Sequence, residues 1–145
     1  FKLIGDGSAK KLLIDNDLFK SQTNIDISNP MLRNELIYEY QNADILFLHL
    51  NDHKAFLKVL PSKIFEYAAT GKPILAGVSG YAAEFLKEEV KGVEIFDPCD
   101  VVSMKIGLEK LLNGPKIIDR YDFCLRYSRK KIMKKLAKDV LTLSN

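Results

Sequence analysis

Short apolar runs alternate along the chain with longer segments of helical periodicity. The apolar runs predict five strands, at residues 1–5, 23–28, 44–50, 73–78 and 92–96. Segments with apolar residues three or four positions apart predict helices at 9–20, from Pro30 onward, between Pro61 and Gly71, and at 80–89, 101–112 and 121–143. This order indicates βαβ units, and hence an α/β fold with a Rossmann-like parallel sheet between two helical layers.

Two of these elements carry more specific expectations. Residues 44–50 are nearly all apolar, which is typical of a strand covered on both faces. The helix at 9–20 is expected to turn its leucines and one aromatic ring inward, namely Leu12, Leu13 and Leu18 or Phe19.

The segment 57–74 has the signals of a loop, a helix and a stop. Pro61 has a backbone suited to a first helical turn, and the hydroxyl of Ser62 is expected to cap the free N–H groups there. Gly71 suits a left-handed residue after the helix, and Pro73 prevents the helix from resuming. Within the short helix, Glu66 is a carboxylate among largely apolar neighbours.

Ligands of parallel sheets bind beyond the carboxyl ends of the strands, where helices begin. The loop 51–60 follows the third predicted strand, is unusually long, and carries His53, Lys54 and Lys58. A helix start with free N–H groups attracts phosphate oxygens, and a nearby carboxylate accepts hydrogen bonds from sugar hydroxyls. The sequence therefore predicts a site for a phosphorylated ribose around Glu66.

Composition indicates one globular domain. The 145 residues are 47% hydrophobic and 28% charged, with no apolar run long enough for a membrane span and no signal-peptide pattern. Two cysteines, Cys99 and Cys124, form neither a disulfide framework nor a metal cluster, so a reducing, cytoplasmic setting is expected. Because the chain opens with Phe1 inside an apolar run, we expect it to be a fragment of a larger protein.

The net charge of +3 is concentrated at one end. Residues 1–118 hold 14 basic and 16 acidic side chains, a balance of −2, whereas residues 119–145 hold 8 and 3, a balance of +5. The helix in this basic tail, 119–145, has apolar residues on one side and lysines largely on the other. Such a helix either packs its apolar side on the domain, which is the favoured interpretation, or lies on an anionic membrane. Nucleic acid is a poorer fit, since aromatic residues do not interleave with the lysines.

Other polar residues are given structural interpretations. His49 and His53 are isolated histidines without a motif. The segment Asp15-Asn16-Asp17 imitates a metal motif but lies within or at the end of a helical pattern, so we interpret it as solvated charge.

Four motifs in order resemble a known family: Gly5-Asp6-Gly7-Ser8, Ala43-Asp44-Ile45-Leu46-Phe47, Leu60-Pro61-Ser62-Lys63-Ile64-Phe65-Glu66-Tyr67-Ala68, and Gly71-Lys72-Pro73-Ile74. Together they resemble the nucleotide-sugar-binding, C-terminal domain of GT-B glycosyltransferases, and more narrowly the group 1 (family 4) retaining enzymes that build bacterial capsule and O-antigen sugars. The most specific part is the Pro-Ser-Lys-x-x-Glu-Tyr block.

The resemblance implies a role for each site residue. Glu66 matches the second glutamate of the family signature, which binds the donor ribose, whereas the position of the first glutamate holds Lys58. The resemblance also implies that the phosphates are bound by Val59, Leu60, Pro61 and Ser62. Lys58 or Lys63 would stabilise the departing diphosphate, and Ile27 and Ser28 would contact the base. No metal and no other cofactor is required, because lysine charge and the helix dipole offset the leaving-group charge.

The resemblance also implies missing parts. Family members carry an N-terminal Rossmann domain that binds the acceptor, and their nucleotide domain begins with a strand and helix ahead of Phe1. We therefore expect residues 1–145 to be the donor domain alone, inactive by itself, with a sheet that lacks a middle strand.

Two functions of different classes remain. The first is the donor-binding domain of a retaining glycosyltransferase that moves a sugar from a nucleotide-diphospho-sugar, UDP-linked, to a bacterial surface polysaccharide or lipid-linked acceptor. Its expected location is the cytoplasm or the inner face of the plasma membrane. The second is a non-catalytic nucleotide-binding or regulatory module, suggested by the missing first glutamate and the missing N-terminal half. A dehydrogenase or response-regulator domain fits poorly, because the Gly5-Asp6-Gly7 turn lacks the third spaced glycine and no acidic cluster gathers at the strand ends.

Overall fold

The computed structural model of the chain describes residues 1–143. Within them lie five strands: β1 Lys2–Ile4, β2 Asp26–Ser28, β3 Leu46–His49, β4 Ile74–Gly77 and β5 Val93–Phe96. The helices are α1 Lys10–Asp15, α2 Asp17–Lys20, α3 Arg33–Asn42, α4 Lys63–Ala68, α5 Tyr81–Glu89, α6 Val101–Leu112, α7 Tyr121–Arg126 and α8 Arg129–Leu143, and a 3-10 helix spans Lys54–Lys58. Strands and helices alternate as predicted through α6.

All strand pairs are parallel, which confirms the α/β prediction. The strands are divided between two sheets, one with the order β1-β2 and one with the order β3-β4-β5. In the larger sheet the register aligns His49 with Gly77 and Gly77 with Phe96 at the carboxyl ends of the three strands.

The chain forms two compact units, Phe1–Glu39 and Tyr40–Asn145. In the first unit β1 and β2 pair side by side, and Lys2 on β1 forms an ion pair with Glu39 on α3 at 2.6 Å. The second unit holds the larger sheet and the buried core.

The core of the second unit covers one face of the sheet. Leu48 on β3 and Ile74 and Ala76 on β4 pack there against buried apolar side chains of α4, α5 and α7. Aromatic rings tie these three helices together; they belong to Phe65, Phe85, Phe123 and Tyr127, with neighbouring centroids 4.7–6.4 Å apart. Burial of apolar side chains favours folding, and aromatic pairs in this geometry add about 0.5–1.5 kcal/mol each.

The opposite face is covered only in part. Leu111 on α6 packs against Leu75 and Phe96, which covers β4 and β5. Phe47 on β3 points to the same face but is 44% exposed. The expectation that residues 44–50 are covered on both faces is therefore wrong for this strand, because α6 lies over its neighbours.

The predicted helix at 9–20 is broken in two. Asn16 has extended backbone angles, and its side chain accepts hydrogen bonds from the N–H groups of Leu18 and Phe19, so it caps α2. The leucines expected inside are exposed, by 75% at Leu12, 43% at Leu13 and 79% at Leu18. Phe19, the predicted alternative to Leu18, is half-buried. Periodicity was a poor guide here because Asn16 offers the backbone a competing turn.

The tail is also two helices. The predicted helix at 121–143 is interrupted between Arg126 and Arg129. Phe123 on α7 is buried in the core, whereas the apolar side chains of α8 are about half exposed: Ile132, Met133, Leu136, Val140 and Leu141. The favoured interpretation, that the terminal helix packs its apolar side on the domain, is wrong for the side chains that the structure describes.

Candidate functional site

The central feature of the site is helix α4. Ile64 and Ala68, four positions apart, are fully buried against the sheet and fix the orientation of the helix. Gly71 has a φ of +72°, and Pro73 precedes β4, so the predicted stop is confirmed.

The start of α4 differs from the prediction at Ser62. Its backbone is already helical, with φ −58° and ψ −26°, and its carbonyl accepts from the N–H groups of Phe65 and Glu66. A capping residue needs extended angles to aim its hydroxyl at the next turn. Ser62 makes no such cap hydrogen bond, and that prediction is wrong.

Glu66 lies on the first turn of α4 and is half-buried. Its Oε2 accepts a hydrogen bond from Lys63 Nζ at 3.0 Å, one turn earlier on the same helix. Lys63 Nζ also donates to the hydroxyl of Tyr40 at 2.6 Å, a residue 23 positions away in the chain. The carboxylate is thus held at one oxygen.

Two aromatic rings complete this arrangement, which we name the Lys63 network: Tyr40, Lys63, Glu66 and Tyr67. The two tyrosine rings meet edge to face with centroids 5.2 Å apart, and Lys63 Nζ lies 5.3 Å and 6.0 Å from their centroids. Burial lowers the pKa of Lys63, but the hydrogen bonds to Tyr40 and Glu66 outweigh it, so the net pKa is raised. Burial raises the pKa of Tyr67.

The backbone before α4 offers fewer free donors than the sequence suggested. Val59 N–H already donates to the carbonyl of Phe56 at 3.1 Å, and Pro61 has no N–H. Leu60 and Ser62 are the members of the set 59–62 whose N–H groups have no hydrogen-bond partner within residues 1–143.

The loop at 51–60 contains more structure than predicted. Its 3-10 helix ends at Lys58, an exposed residue. Gly80 lies against the backbone of Leu57, and its φ of +60° is one that side chains rarely adopt. This close approach fixes the loop on the start of α5, with Lys58 facing solvent.

The residues assigned to the base lie in the first unit. Ile27 and Ser28 are half-buried on β2, where the Ser28 carbonyl accepts from Gly5 N–H at 3.1 Å. Glu66, Lys58, Lys63 and the set 59–62 belong to the second unit.

A cluster at the carboxyl ends of the larger sheet was missed by sequence reasoning. His49 and Phe96 stack across Gly77 with ring centroids 6.1 Å apart, and Phe47 stacks on both. The backbone N–H of Cys99 donates to His49 Nε2 at 3.1 Å. Cys99 has a φ of +66°, uncommon for a residue with a side chain. The sequence signal for this cluster is Gly77 in the predicted strand 73–78, since a glycine leaves room for large side chains such as His49 and Phe96 on the two adjacent strands.

No group of three metal-ligating side chains lies close together in the part of the chain that the structure describes. In the Asp15-Asn16-Asp17 segment, Asn16 caps α2 and Asp17 pairs with Lys20 at 3.3 Å. The structural interpretation of this segment agrees with the geometry.

The model of the family "Glycosyl transferases group 1" matches residues 1–131. The chain belongs to this family. The match spans both units and includes β1 through α7, so the glycosyltransferase domain contains every proposed site residue. Membership supports a role in glycosyl transfer and binding of a nucleotide-sugar donor, and it confirms the resemblance seen in the four motifs.

Neither a curated protein nor a solved structure matches this group 1 glycosyltransferase chain. Among residues 1–143, no helix has both the length and the apolar character that a membrane span requires.

Proposed function

We propose that the chain is the donor-binding domain of a retaining glycosyltransferase, which moves a sugar from a nucleotide-diphospho-sugar to a bacterial surface polysaccharide or a lipid-linked acceptor. UDP is the proposed nucleotide. The observation that carries the proposal is the placement of Glu66: a half-buried carboxylate on the first turn of α4, following the carboxyl end of β3, with one oxygen held and the other left to accept hydrogen bonds.

Each site residue has a role in this proposal. Glu66 binds the ribose hydroxyls. The N–H groups of Leu60 and Ser62 donate hydrogen bonds to phosphate oxygens, and Val59 and Pro61 shape that turn. Lys58 or Lys63 offsets the charge of the departing diphosphate. Ile27 and Ser28 are assigned to the base. The proposed chemistry uses no metal, since the cationic side chains stabilise the leaving group.

Calorimetric titration of UDP and GDP against the wild-type chain and Glu66→Ala tests this assignment. Loss of hydrogen bonds to a charged acceptor costs about 1.5–3 kcal/mol, so we expect affinity to fall about 10- to 100-fold. Glu84→Ala is the matched control, because Glu84 is an exposed carboxylate on the first turn of α5. Equal affinity for wild type and Glu66→Ala would remove Glu66 from the site.

The complete reaction needs further parts in this proposal. We assign acceptor binding to an additional Rossmann domain of the full-length protein, and expect the chain of residues 1–145 to be inactive alone. We also propose a peripheral contact of α8 with the cytoplasmic face of the membrane, because its half-exposed apolar side is flanked by lysines.

A second candidate is a non-catalytic nucleotide-binding module of the same fold. It is favoured by Lys58, which occupies the position where the family signature has its first glutamate. Transfer assays with the full-length protein separate the two candidates. Nucleotide binding without transfer or hydrolysis of any nucleotide-sugar would support the module.

A further inference from the structure

We propose that Lys63 is a positioning residue that, together with Tyr40, orients the Glu66 carboxylate toward the ribose, and that it does not bind the diphosphate. This inference rests on the proposed function and separates the roles of the two candidate lysines. It also adds Tyr40, a residue of α3, to the site.

The first support is the direction of the Lys63 ammonium group. An ammonium has three donors, and two are used, by the Tyr40 hydroxyl at 2.6 Å and Glu66 Oε2 at 3.0 Å. Both tyrosine rings lie within about 6 Å of the same nitrogen, as measured from their centroids. Binding a phosphate through Lys63 would require breaking at least part of this network.

The second support is the effect on Glu66. A glutamate on a helix surface samples several rotamers, and an i, i+3 ion pair alone restrains them weakly. Here the Lys63 ammonium also donates to the hydroxyl of Tyr40, and the Tyr40 ring packs edge to face on Tyr67. Oε2 is therefore occupied, and Oε1 is the oxygen presented to a ligand.

The third support is local charge. Lys63 and Glu66 together are neutral, so the pair gives no net attraction to a diphosphate. Lys58 is exposed at the end of the 3-10 helix and has no ion-pair or hydrogen-bond partner in the described part of the chain. Its charge is the one available to phosphate oxygens.

Titrations with two ligands distinguish the roles. The ligands are UDP and uridine, or GDP and guanosine if GDP binds wild type more tightly. If Lys63 positions Glu66, Lys63→Met lowers the affinity for UDP and for uridine by the same factor, about 3- to 30-fold. Tyr40→Phe lowers both affinities by a smaller common factor. Lys58→Met lowers the affinity for UDP and leaves the affinity for uridine unchanged. With 2′,3′-dideoxyuridine diphosphate, which lacks the hydroxyls that Glu66 would bind, the Lys63→Met effect disappears.

A ligand-free measurement examines the network by itself. NMR titration of the lysine side-chain signals gives the pKa of Lys63 in each variant. Tyr40→Phe removes the hydroxyl that holds Lys63 and should lower this pKa. Tyr67→Phe keeps the aromatic ring near Lys63 and removes no hydrogen bond to it, so the pKa of Lys63 should be nearly unchanged. Unchanged pKa in Tyr40→Phe would contradict the role of Tyr40.

The two proposals fail in different ways. A larger loss of UDP than of uridine affinity in Lys63→Met would make Lys63 a phosphate ligand and overturn the positioning role, while the nucleotide site would stand. A wild-type chain that binds neither UDP nor GDP would overturn the proposed function and the positioning role with it.

Discussion

Arg120 donates a hydrogen bond from Nη1 to the carbonyl oxygen of Lys72 at 2.9 Å. The same guanidinium reaches three further carbonyl oxygens, those of Ala68, Lys91 and Gly92, at 2.8–3.4 Å. The carbonyls of Lys72, Lys91 and Gly92 lie just before β4 and β5, and that of Ala68 ends α4. A single side chain therefore joins the end of α4 to the starts of two adjacent strands. Arg120 is 6% exposed, and burial lowers its pKa to about 10, which still leaves it charged at neutral pH.

We expect Arg120→Met to destabilise the fold by about 2–5 kcal/mol. The substitution leaves the carbonyl oxygens of Lys72 and Lys91 without a donor, whereas those of Gly92 and Ala68 still accept from the N–H groups of Ile74 and Gly71. Each unsatisfied buried acceptor costs about 1–3 kcal/mol. Urea unfolding followed by circular dichroism measures the change.

Arg129→Met is the matched control, since Arg129 is exposed at the start of α8, and we expect a change within about 0.5 kcal/mol. Equal stability of the two variants would show that Arg120 does not hold the strand starts together.

Gly77 has no room for a side chain. A Cβ at this position would lie 2.5 Å from His49 Cδ2 and 2.5 Å from Phe96 Cζ. We expect Gly77→Ala to cost about 1–3 kcal/mol, since inserting a methyl group into a packed site forces neighbouring rings to move. Thermal and urea unfolding provide the measurement.

Gly7→Ala serves as the comparison, because a Cβ there meets nothing within 4 Å. Adding Phe96→Leu to Gly77→Ala should cost less than the sum of the two single changes, because the smaller side chain relieves the clash. Strict additivity would contradict the packing explanation.

The parts of this fold that the sequence predicted are those specified locally. Helix α6 begins and ends where its periodicity indicated, because Asp100 caps its start and Asn113-Gly114 follows its end. Gly71 and Pro73 ended α4 for similarly local reasons. Arg120 could not be anticipated, since its partners lie 28–52 positions away in the chain.

The site shows the same division. Glu66 was found from its motif and its place after a strand. Its hydrogen-bond partner Lys63 is local, but Tyr40 reaches Lys63 only through the tertiary fold. The periodicity of residues 9–20 failed for the opposite reason, because a local turn at Asn16 overrode the helical pattern.

Alkaline pH should weaken the fold through the Lys63 network. Lys63 and Tyr67 both have raised pKa values in the folded chain, from ordinary values of 10.5 and 10.0. A raised folded pKa means that the stabilisation is fully present below the unfolded pKa and is lost as pH rises through the folded pKa. The free energy of unfolding should therefore fall on going from about pH 9 to above pH 10.5.

The variant Lys63→Met should show a smaller fall over this range, and Tyr67→Phe likewise, in urea unfolding at several pH values. Arg120 acts in the opposite direction because its pKa is lowered, and Tyr127 acts in the same direction as Tyr67. Arg120 and Tyr127 are unchanged in the variants. The difference between the wild-type and variant curves of unfolding free energy against pH therefore reports the Lys63 network. Parallel curves for wild type and Lys63→Met would contradict the assignment.

The exposed apolar side of α8 should bind anionic vesicles. Leu136 is 52% and Val140 56% exposed, and lysines flank them on the polar side of the helix. We expect the chain to sediment with vesicles that contain an anionic lipid and not with purely zwitterionic ones, because each lysine near an anionic surface contributes about 1 kcal/mol. Replacing Lys134 and Lys138 by Gln should therefore weaken binding about 30-fold, and salt should weaken it further.

Stability measurements separate this surface role from packing within the domain. Leu136→Ser with Val140→Ser should abolish vesicle binding and change the free energy of unfolding by no more than about 1 kcal/mol, since exposed substitutions have small effects. Phe123→Ala in α7 removes a buried ring and should cost about 3–5 kcal/mol. A large loss of stability in the double serine variant would show that α8 packs on the chain. Binding to neither vesicle type would remove the membrane from the list of partners.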